Sequence, residues 1–364
     1  MLDLNYDLTK ITAKPNTPYY LNISYRLKQD TLFAPAGHEL ATAQFKLPLE
    51  EVALKVMPTG KLTVVEEPTR LIITGADFSC HFDTILGSLH NLKRNGKVLL
   101  KQGPQFTLWR APISNDMEII DELKGKYFLH LEHEIVRNFD WQLTDNYLQV
   151  DVKTLNSTTN SAWHYKCHYR YRIYPSGDIM FSLKGLPGGK TSLAPEMLPR
   201  LGVKLRLNNE LEAVNYFGRG PNENYSDSKE AGLIGLYHAK VDELFTNYVV
   251  PQANGNHMDT RWLSLTDDRR EGLFFSDPTT FNFSVSHYED TDLDNAKHTV
   301  ELKKRDYIVL NVDYKQNALG SYSCGQWQLD KYRTKFEPFT LSFRLCGFSG
   351  VEVSEDVLAM EEIE

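Results

Sequence analysis

Two loop-rich segments of the sequence concentrate the residue types that could bind a polar ligand. The first, GRGPNENYSDS, covers residues 218–228, and the second, PQANGNHMDTRW, covers residues 251–262. Glycine and proline fix unusual backbone angles, and Asn, Asp and Gln place hydrogen-bond donors and acceptors in loops. With aromatic faces nearby, this mixture suits a sugar, which has hydroxyls at its rim and C–H groups on its face. The same composition also suits a structural crossover whose polar loops are internally satisfied.

Acidic residues in loops raise the question of glycoside cleavage, which needs two carboxyl groups flanking the scissile bond. Which of them form a pair depends on the fold, and the candidates are Asp116, Glu118, Glu223, Asp227 and Asp259. The sequence contains neither the GxGxxG and GxxxxGK[ST] phosphate loops nor a G-x-S-x-G nucleophile motif. The chemistry that remains is that of carboxylates and polar loops.

Metal and nucleic-acid functions are disfavoured by the sequence. His130 and His133 lie three residues apart in HLEHE, but such a set is typical of a solvated face, so we expect no metal site. The net charge is −8, so the chain has no excess of basic residues for phosphates. None of the cysteines forms a CxxC pair, which argues against zinc; they are Cys80, Cys167, Cys324 and Cys346.

The N-terminal segment MLDLNYDLTK lacks the apolar region of a signal peptide. No apolar run approaches the roughly 20 residues that a membrane helix needs. We therefore expect a cytoplasmic location.

Short strands dominate the predicted secondary structure. The segment 162–174 alternates apolar and polar residues over ten positions, which predicts a strand with one buried face. Asn95-Gly96 predicts a hairpin turn, and weak helical character is confined to residues 117–126, 228–231 and 288–296. Residues 299–304 and 307–314 are predicted strands. Roughly twenty strands over residues 65–350 exceed an immunoglobulin-type sandwich and fit one large two-sheet β domain.

The first 48 or so residues contain only two or three predicted strands, which are too few to bury a core alone. We therefore predict a partial β-sandwich over residues 1–50, completed by something else, and a large β domain over residues 51–364.

Four motifs follow one another in a fixed order. They are WRAP-x-x-ND (109–116), GRGPNENYSDS (218–228), YVVPQANGNHMDTRW (248–262) and LGSYSCG (319–325). In this order they resemble the C-terminal region of β-galactosidases of glycoside hydrolase family two. The residues before them are similar to the later strands of the immunoglobulin-like linker domain of the same enzymes. The resemblance implies an all-β fold, a large antiparallel two-sheet supersandwich like that of galactose mutarotase, preceded by a partial immunoglobulin-like β-sandwich.

The resemblance also implies what lies outside this chain. In that family both catalytic glutamates belong to a TIM barrel, and no such pattern of roughly 250 residues occurs here. The chain therefore resembles the small subunit of a split β-galactosidase, or the C-terminal part of a single-chain one, and is expected to be inactive alone. Its expected partner is the catalytic TIM-barrel portion of an oligomeric, retaining enzyme that acts on terminal β-D-galactosides such as lactose. Mg and Na are expected only in that catalytic domain, and no cofactor is expected in this chain.

Three residues are predicted to contribute to the wall of the sugar pocket. The LGSYSCG motif places Cys324 where the best-known relatives have a Trp that stacks on substrate. A thiol offers a small apolar contact but no aromatic platform, so the acceptor side should be roomier; a buried core cysteine is the alternative. The resemblance also assigns Asn115 and Asp116 to the pocket wall.

Two other functions stay open at this point. The chain could be a stand-alone mutarotase-like enzyme, with Glu223 and His257 as the acid and base that act on one sugar. It could also be a free carbohydrate-binding module that uses Tyr and Trp side chains as platforms.

Overall fold

The computed structural model describes residues 7–49, 52–317, 319 and 328–364, with 50% strand and 13% helix. They form two compact units. The first comprises the described residues up to Met57 together with Ser354–Glu364, and the second is Pro58–Val353. The predicted domains, 1–50 and 51–364, remain a prediction; the compact units place the C-terminal residues with the N-terminal ones.

The first unit contains two small sheets. Strands β1 and β2 pair antiparallel, whereas β3 pairs in parallel with β20. The elements of this unit are a 3-10 turn at Leu8–Lys10, β1 Tyr20–Arg26, β2 Glu39–Lys46, β3 Leu54–Val56, α2 Glu355–Met360 and β20 Glu361–Ile363.

The β1–β2 sheet has one polar and one apolar face, because successive side chains of a strand point in opposite directions. On the polar face, Gln44 donates a hydrogen bond to Asn22 at 2.8 Å. On the other face, Tyr25 is 55% exposed and Phe45 is 54% exposed. We call this the bare apolar face, formed by Leu21, Ile23, Tyr25, Ala41, Ala43 and Phe45.

The second unit is built on a single sheet of 16 strands. Its strands are β4 Thr63–Glu67, β5 Arg70–Thr74, β6 Phe78–Asp83, β7 Ser88–Arg94, β8 Lys97–Thr107, β9 Glu132–Leu143, β10 Leu148–Thr158, β11 Trp163–Ile173, β12 Ile179–Gly189, β13 Arg200–Asn208, β14 Ala213–Gly220, β15 Leu233–Lys240, β16 His257–Thr266, β17 Glu271–Ser286, β18 Tyr307–Gln316 and β19 Phe339–Ser349.

Short helical turns connect these strands. One α-helix, α1, spans Asp290–Asn295, and a π-helical turn spans Glu122–Lys126. The 3-10 turns are Ser114–Ile119, Thr191–Leu193, Lys229–Ala231, Val241–Leu244, Thr299–Glu301 and Asp330–Tyr332. No helix in the described part of the chain is long and apolar enough to cross a membrane.

The large sheet curls so that its two ends face each other. Its strands follow the order β4-β5-β6-β7-β8-β13-β18-β17-β19-β12-β11-β10-β9, with β14, β15 and β16 branching from β17. Strands near opposite ends of this path nevertheless contact each other. The ring centroids of Phe82 on β6 and Tyr171 on β11, for example, lie 4.9 Å apart. The buried core lies between the resulting layers. The predicted all-β fold, with a large antiparallel supersandwich after a partial sandwich, is confirmed.

The clearest sequence patterns are confirmed in this unit. Strand β11 buries Trp163, Tyr165, Cys167, Tyr169 and Tyr171 on one face, as the alternation predicted. Asn95-Gly96 forms the turn between β7 and β8, with positive φ at both residues. Cys80, Cys167 and Cys346 are buried and free of disulfide bonds.

Two local predictions differ from the structure. Residues 299–304 are not a strand: they begin with a 3-10 turn held by Glu301, whose carboxylate accepts a hydrogen bond from Lys297 N at 3.1 Å. Val300 there is 90% exposed, so its apolar side chain does not mark a buried face. The second difference concerns Gly218 and Gly220, which were predicted to lie in a loop but belong to strand β14. Glycine is needed at both positions, because an added Cβ would clash with Thr260 and with Tyr237, respectively.

We predict that Gly272→Ala destabilises the second unit. A Cβ at Gly272 would overlap the backbone carbonyl of Leu265 on the paired strand β16, which cannot rotate away as a side chain does. A loss of about 1–3 kcal/mol in the free energy of unfolding is expected, measured as a lower urea midpoint. Gly125→Ala is the control, because its added Cβ meets no atom within 4 Å; equal midpoints for the two variants would contradict the prediction.

Candidate functional site

A fully buried arginine organises the segment that carries Asn115 and Asp116. The Arg110 side chain is 0% exposed, and its Nη2 lies 3.4 Å from Asp116 Oδ2. Its Nη1 donates to the backbone carbonyl of Asn317 at 3.0 Å and approaches Gln316 Oε1 at 3.3 Å. Asp116 Oδ2 also accepts from Ile113 N at 3.1 Å. The Asp116 carboxylate is therefore buried and engaged in holding the WRAP-x-x-ND turn.

Asn115 lies beside the beginning of the LGSYSCG motif. Its Nδ2 donates a hydrogen bond to the carbonyl of Leu319. Asp227 Oδ1 accepts from the Leu319 backbone N at 3.2 Å, so the same residue is held from two sides. Cys324, the third predicted pocket residue, lies outside the described residues. The geometry therefore brings Asn115 to the first residue of the motif that contains Cys324.

The first three motifs converge with Leu319, the described residue of the fourth motif, and with the preceding Gln316 and Asn317. We call this set the motif cluster (residues 109–116, 218–228, 248–262, 316, 317 and 319). Gln252 Oε1 accepts from Ser114 N at 2.9 Å and from Ser114 Oγ at 3.0 Å. Gln316 Nε2 lies 3.2 Å from Asn256 Oδ1, and Asn256 Nδ2 donates to the carbonyl of Asn224 at 2.8 Å. These bonds cross-link segments that are distant in sequence, so much of their polar character serves the fold.

Glu223 is a brace within the motif cluster. One carboxylate oxygen accepts from Gly255 N at 2.7 Å and from the Tyr225 hydroxyl at 3.1 Å, while Tyr248 donates to the other oxygen. Burial, reinforced by the Glu223 charge, raises the pKa of Tyr225 well above its usual value. Both phenols therefore stay protonated and keep donating to Glu223.

His257 is packed among aromatic rings and is 1% exposed. Its ring lies 4.9 Å from that of Tyr216 and 5.1 Å from that of Phe283. Nδ1 lies 3.2 Å from both the Tyr216 hydroxyl and the Arg219 carbonyl. Burial lowers the pKa of His257 to about 4, so the imidazole is neutral near pH 7. These contacts tie both members of the predicted mutarotase pair, Glu223 and His257, to the protein itself.

Asp259 has a similar structural role. Burial alone would raise the pKa of its carboxyl, but hydrogen bonds from Arg219 and Lys229 lower it below the usual value. Arg219 Nε lies 2.5 Å from Asp259 Oδ2, and Lys229 Nζ lies 3.1 Å from the same atom. Asp259 adopts a positive φ of 52°, a conformation that these two cations help to hold.

The HLEHE segment differs from the expected solvated face. His133 is exposed and contacts Thr159, and the ring of His130 lies 5.9 Å from that of Trp109. Glu132 and Glu134, the glutamates on either side of His133, instead point inward, because strand β9 alternates exposed and covered positions. Glu132 accepts from Leu108 N at 2.9 Å, and Glu134 accepts from the Tyr169 hydroxyl at 2.5 Å. The prediction of a solvated face is wrong for both carboxylates.

These glutamates line a cavity of about 110 Å³, which we call the Glu132 cleft. Its other polar lining side chains include Gln105, Thr107, Asn156, Lys204 and Arg206. Burial raises the pKa of Glu132 to about 7, despite its hydrogen bonds from Leu108 and Thr107. The period-two pattern of EHEIVRNF could have indicated two inward carboxyls, but it does not tell which face is inward. Within the described residues, no group of three or more His, Cys, Asp or Glu could hold a metal.

The comparisons with known proteins agree with the convergence of the motifs. Residues 74–345 match the family described as "Beta galactosidase small chain", and residues 2–48 match "Beta-galactosidase, domain 4". The class is thus that of β-galactosidase components. The chain belongs to the β-galactosidase small-chain family, which confirms the resemblance to the C-terminal region of these enzymes.

Several curated relatives are whole β-galactosidases. That of Actinobacillus pleuropneumoniae is 31% identical over 330 residues, covering 90% of this chain and 32% of that protein. That of Kluyveromyces lactis is 29% identical over 343 residues, covering 92% and 32%. The chain thus spans about a third of the length of the relatives it matches. Among solved structures, the galactose 1-epimerase from Lactobacillus acidophilus NCFM aligns with a TM-score of 0.38 at 10% identity, covering 80% of this chain and 99% of that one.

We predict that His257 makes the fold less stable in acid. Its folded pKa of about 4 lies below the usual 6.5, so between these values the unfolded chain binds more protons. This contribution is complete above pH 6.5 and is lost as the pH falls towards 4, by roughly 3 kcal/mol. His257→Gln should therefore lose less stability than the wild type over that range, measured by urea unfolding at several pH values.

His238→Gln is the matched control, because it removes an exposed histidine that hydrogen-bonds to Asn215 at 2.7 Å. Its pH dependence should follow that of the wild type. If His257→Gln also follows the wild type, the burial of a neutral His257 does not contribute to acid sensitivity.

Proposed function

We propose that this chain is a non-catalytic component of a retaining β-galactosidase that hydrolyses terminal β-D-galactosides such as lactose. In this proposal the catalytic glutamates lie on a TIM-barrel portion, supplied by a large subunit or by preceding domains. The chain completes the sugar pocket and the assembly around that barrel, and alone it is inactive. The proposal includes a cytoplasmic location, an oligomeric enzyme, and Mg and Na bound only by the catalytic portion.

The bare apolar face of the first unit is the observation that carries this proposal. A two-stranded sheet is marginal by itself in water, and a sandwich needs a second sheet against its apolar face. Tyr25 and Phe45 on this face are more than half exposed, whereas the opposite face is polar and internally hydrogen-bonded. The sheet therefore has the form of one layer of a sandwich. Remaining strands of a linker domain, contributed by the catalytic portion, are the partner that fits it.

The strand pairing supports a catalytic centre outside this chain. A TIM barrel contains eight parallel strands. Among the strands that the structure describes, β3 and β20 form the one parallel pair, and every pairing in the large sheet is antiparallel. The relatives that the chain matches are about three times as long, which leaves room in them for such a barrel.

The motif cluster suits a role as one wall of the pocket. Arg110 and Asp116 fix the turn that carries Asn115, and Asn115 with Asp227 holds Leu319. We propose that Cys324, Asn115 and Asp116 contribute to this wall of the pocket. Asp116 then acts by supporting the wall, because its carboxylate already binds Arg110 and Ile113.

We predict that Phe45→Glu weakens assembly with the catalytic portion. The change places a charge on the bare apolar face, where burial of a Phe side chain is worth about 1.5–3 kcal/mol. Association should weaken at least about tenfold, measured by sedimentation and by restored hydrolysis of a nitrophenyl galactoside on mixing. Since Phe45 is exposed in this chain, the variant should fold normally.

Thr42→Glu is the matched control, because it adds the same charge to the same strand on the opposite, polar face. It should associate like the wild type. Equal assembly of both variants would argue against the bare apolar face as the contact, and substantial hydrolysis by the isolated chain would overturn the non-catalytic role.

The mutarotase alternative gives a contrary prediction. It requires Glu223 and His257 to exchange protons with a sugar, but both side chains are engaged within the motif cluster. The isolated chain should not accelerate the mutarotation of freshly dissolved α-D-galactose, as followed by polarimetry against a matched buffer. An acceleration abolished by His257→Gln would instead favour that enzyme activity.

A further inference from the structure

The Glu132 cleft lies between two layers of the curled sheet. Gln105 and Thr107 come from β8 and Lys204 from β13, whereas Glu132 and Asn156 come from β9 and β10 on the other layer. The cleft is thus formed by the closure of the sheet and not by the motif cluster. It is a cavity for which the proposed role in a β-galactosidase gives no use.

Glu132 is held rigidly but retains hydrogen-bonding capacity. Oε2 accepts from Leu108 N at 2.9 Å, and Oε1 accepts from Thr107 Oγ1 at 2.8 Å. An ionised carboxylate accepts about four hydrogen bonds, two for each oxygen. The two protein donors therefore fix the orientation of the group and leave acceptor positions for a molecule in the cleft.

Glu134 is oriented by a chain of bonds across the sandwich. Phe106 N donates to the Tyr169 hydroxyl at 3.0 Å, and that hydroxyl donates to Glu134 Oε1 at 2.5 Å. The Asn156 side chain also hydrogen-bonds to the Glu134 carboxyl. Glu132 and Glu134 are two residues apart on β9 and thus lie on the same face of the strand. Two preoriented acceptors therefore face one cavity.

The basic side of the cleft is already neutralised. Lys204 Nζ lies 2.7 Å from Asp290 Oδ2 and 3.0 Å from Glu289 Oε2. Arg206 Nε lies 2.8 Å from Glu289 Oε1. Because these cations are paired, an anionic ligand would meet uncompensated carboxylates on β9. Within the described part of the chain, no group of three or more His, Cys, Asp or Glu could hold a metal ion. A neutral ligand therefore fits the cleft best.

The size and polarity of the cleft further restrict the class of neutral ligand that could bind there. A dry cavity of about 150 Å³ can hold one six-membered ring. The Glu132 cleft has about 110 Å³, so a ring of that size fits only with one edge inside and the other towards solvent. The carboxylates would accept from hydroxyls, and the exposed Gln105 amide at the rim could both donate and accept. Hydroxyls on adjacent ring carbons satisfy these requirements.

We propose that the Glu132 cleft binds one neutral monosaccharide edge-on, with the Glu132 and Glu134 carboxylates accepting hydrogen bonds from its hydroxyls. This binding site belongs to the isolated chain and is independent of the sugar pocket that the catalytic portion would complete. Its affinity is expected in the millimolar range, since few hydrogen bonds and little apolar area are involved.

The test is a titration of the full chain with D-galactose, followed by NMR chemical shifts of the protein. Glu132→Gln keeps the shape of the side chain but removes the charge, and it should weaken binding at least about tenfold. Glu230→Gln is the control, because the Glu230 side chain is 83% exposed. This variant should bind D-galactose with the affinity of the wild type. Absence of saturable binding by the wild type, or equal affinity in Glu132→Gln, would overturn the proposal.

A second variant protects the test if Glu132→Gln fails to fold. Gln105→Ala changes an exposed rim residue and should leave folding intact while weakening binding about two- to tenfold. If the Gln105→Ala variant binds D-galactose with unchanged affinity, and the NMR chemical shifts that change lie outside the cleft, then the sugar binds elsewhere and the proposed site is rejected. Because no catalytic partner is present, this outcome is separate from success or failure of β-galactosidase assembly.

The pH dependence supplies a readout that a purely structural role would not give. The other titratable or charged residues that line the cleft are Glu134, His133, Lys204 and Arg206, and the charges of Lys204 and Asp290 also act on the Glu132 carboxyl. Ionised Glu132 is the stronger acceptor, so wild-type affinity should rise several-fold from pH 6 to pH 8, on either side of its pKa of about 7. Glu132→Gln should lose this rise. A rise that persists in the variant would assign the titration to another group and contradict the role of Glu132.

Discussion

Closure of the large antiparallel sheet is the constraint on which the second unit depends. A long sheet with one apolar face must bury that face, and here it does so by bringing its own ends together. Phe82 on β6 meets Tyr171 on β11, and Tyr169 on β11 accepts from the backbone of Phe106 on β8. Tyr169 therefore contributes apolar area and also satisfies a backbone N–H, which a phenylalanine could not do.

The same closure explains why carboxylates lie inside this domain. Strand β8 ends at Thr107, so the next backbone N–H, that of Leu108, leaves the sheet in a buried position. A buried donor without a partner costs free energy. Glu132 supplies the acceptor from the opposite layer, and burial raises the pKa of its carboxyl. A group that completes the hydrogen bonding of the fold thereby also becomes the polar wall of a cavity.

Buried charges connect this cavity to the motif cluster. Asp290 Oδ1 accepts from the backbone N of Ala111 at 3.2 Å, while Asp290 Oδ2 lies 2.7 Å from Lys204 Nζ. Arg200 pairs with Asp313 at 3.2 Å, and Asp313 accepts from Gln316 at 2.8 Å. Burial still raises the pKa of Asp313 to about 6. Since removal of one partner from such a pair leaves an uncompensated charge, these ions specify how the loops sit on the sheet.

The sequence predicted the features that depend on local pattern. Alternation identified β11, and the Asn95-Gly96 turn identified the hairpin, because each needs only neighbouring residues. The inward direction of Glu132 depends on which face of β9 meets β8, so a pattern of period two could not predict it. The burial of Arg110 likewise depends on Gln316 and Asn317, about two hundred residues later in the chain. Family resemblance supplied the motifs, but their hydrogen bonds required the fold.

The first unit and the Glu132 cleft differ in whether they need a second polypeptide. The bare apolar face presents Tyr25 and Phe45 to solvent, an arrangement that becomes favourable only when another sheet covers it. The Glu132 cleft needs no second polypeptide, because Thr107, Leu108 and Tyr169 already hold its carboxylates in place. Assembly with a partner would therefore cover the bare apolar face, but it is not needed to form the cleft. A polar cavity that is preorganised within one chain can bind a small neutral molecule whether or not that assembly has formed.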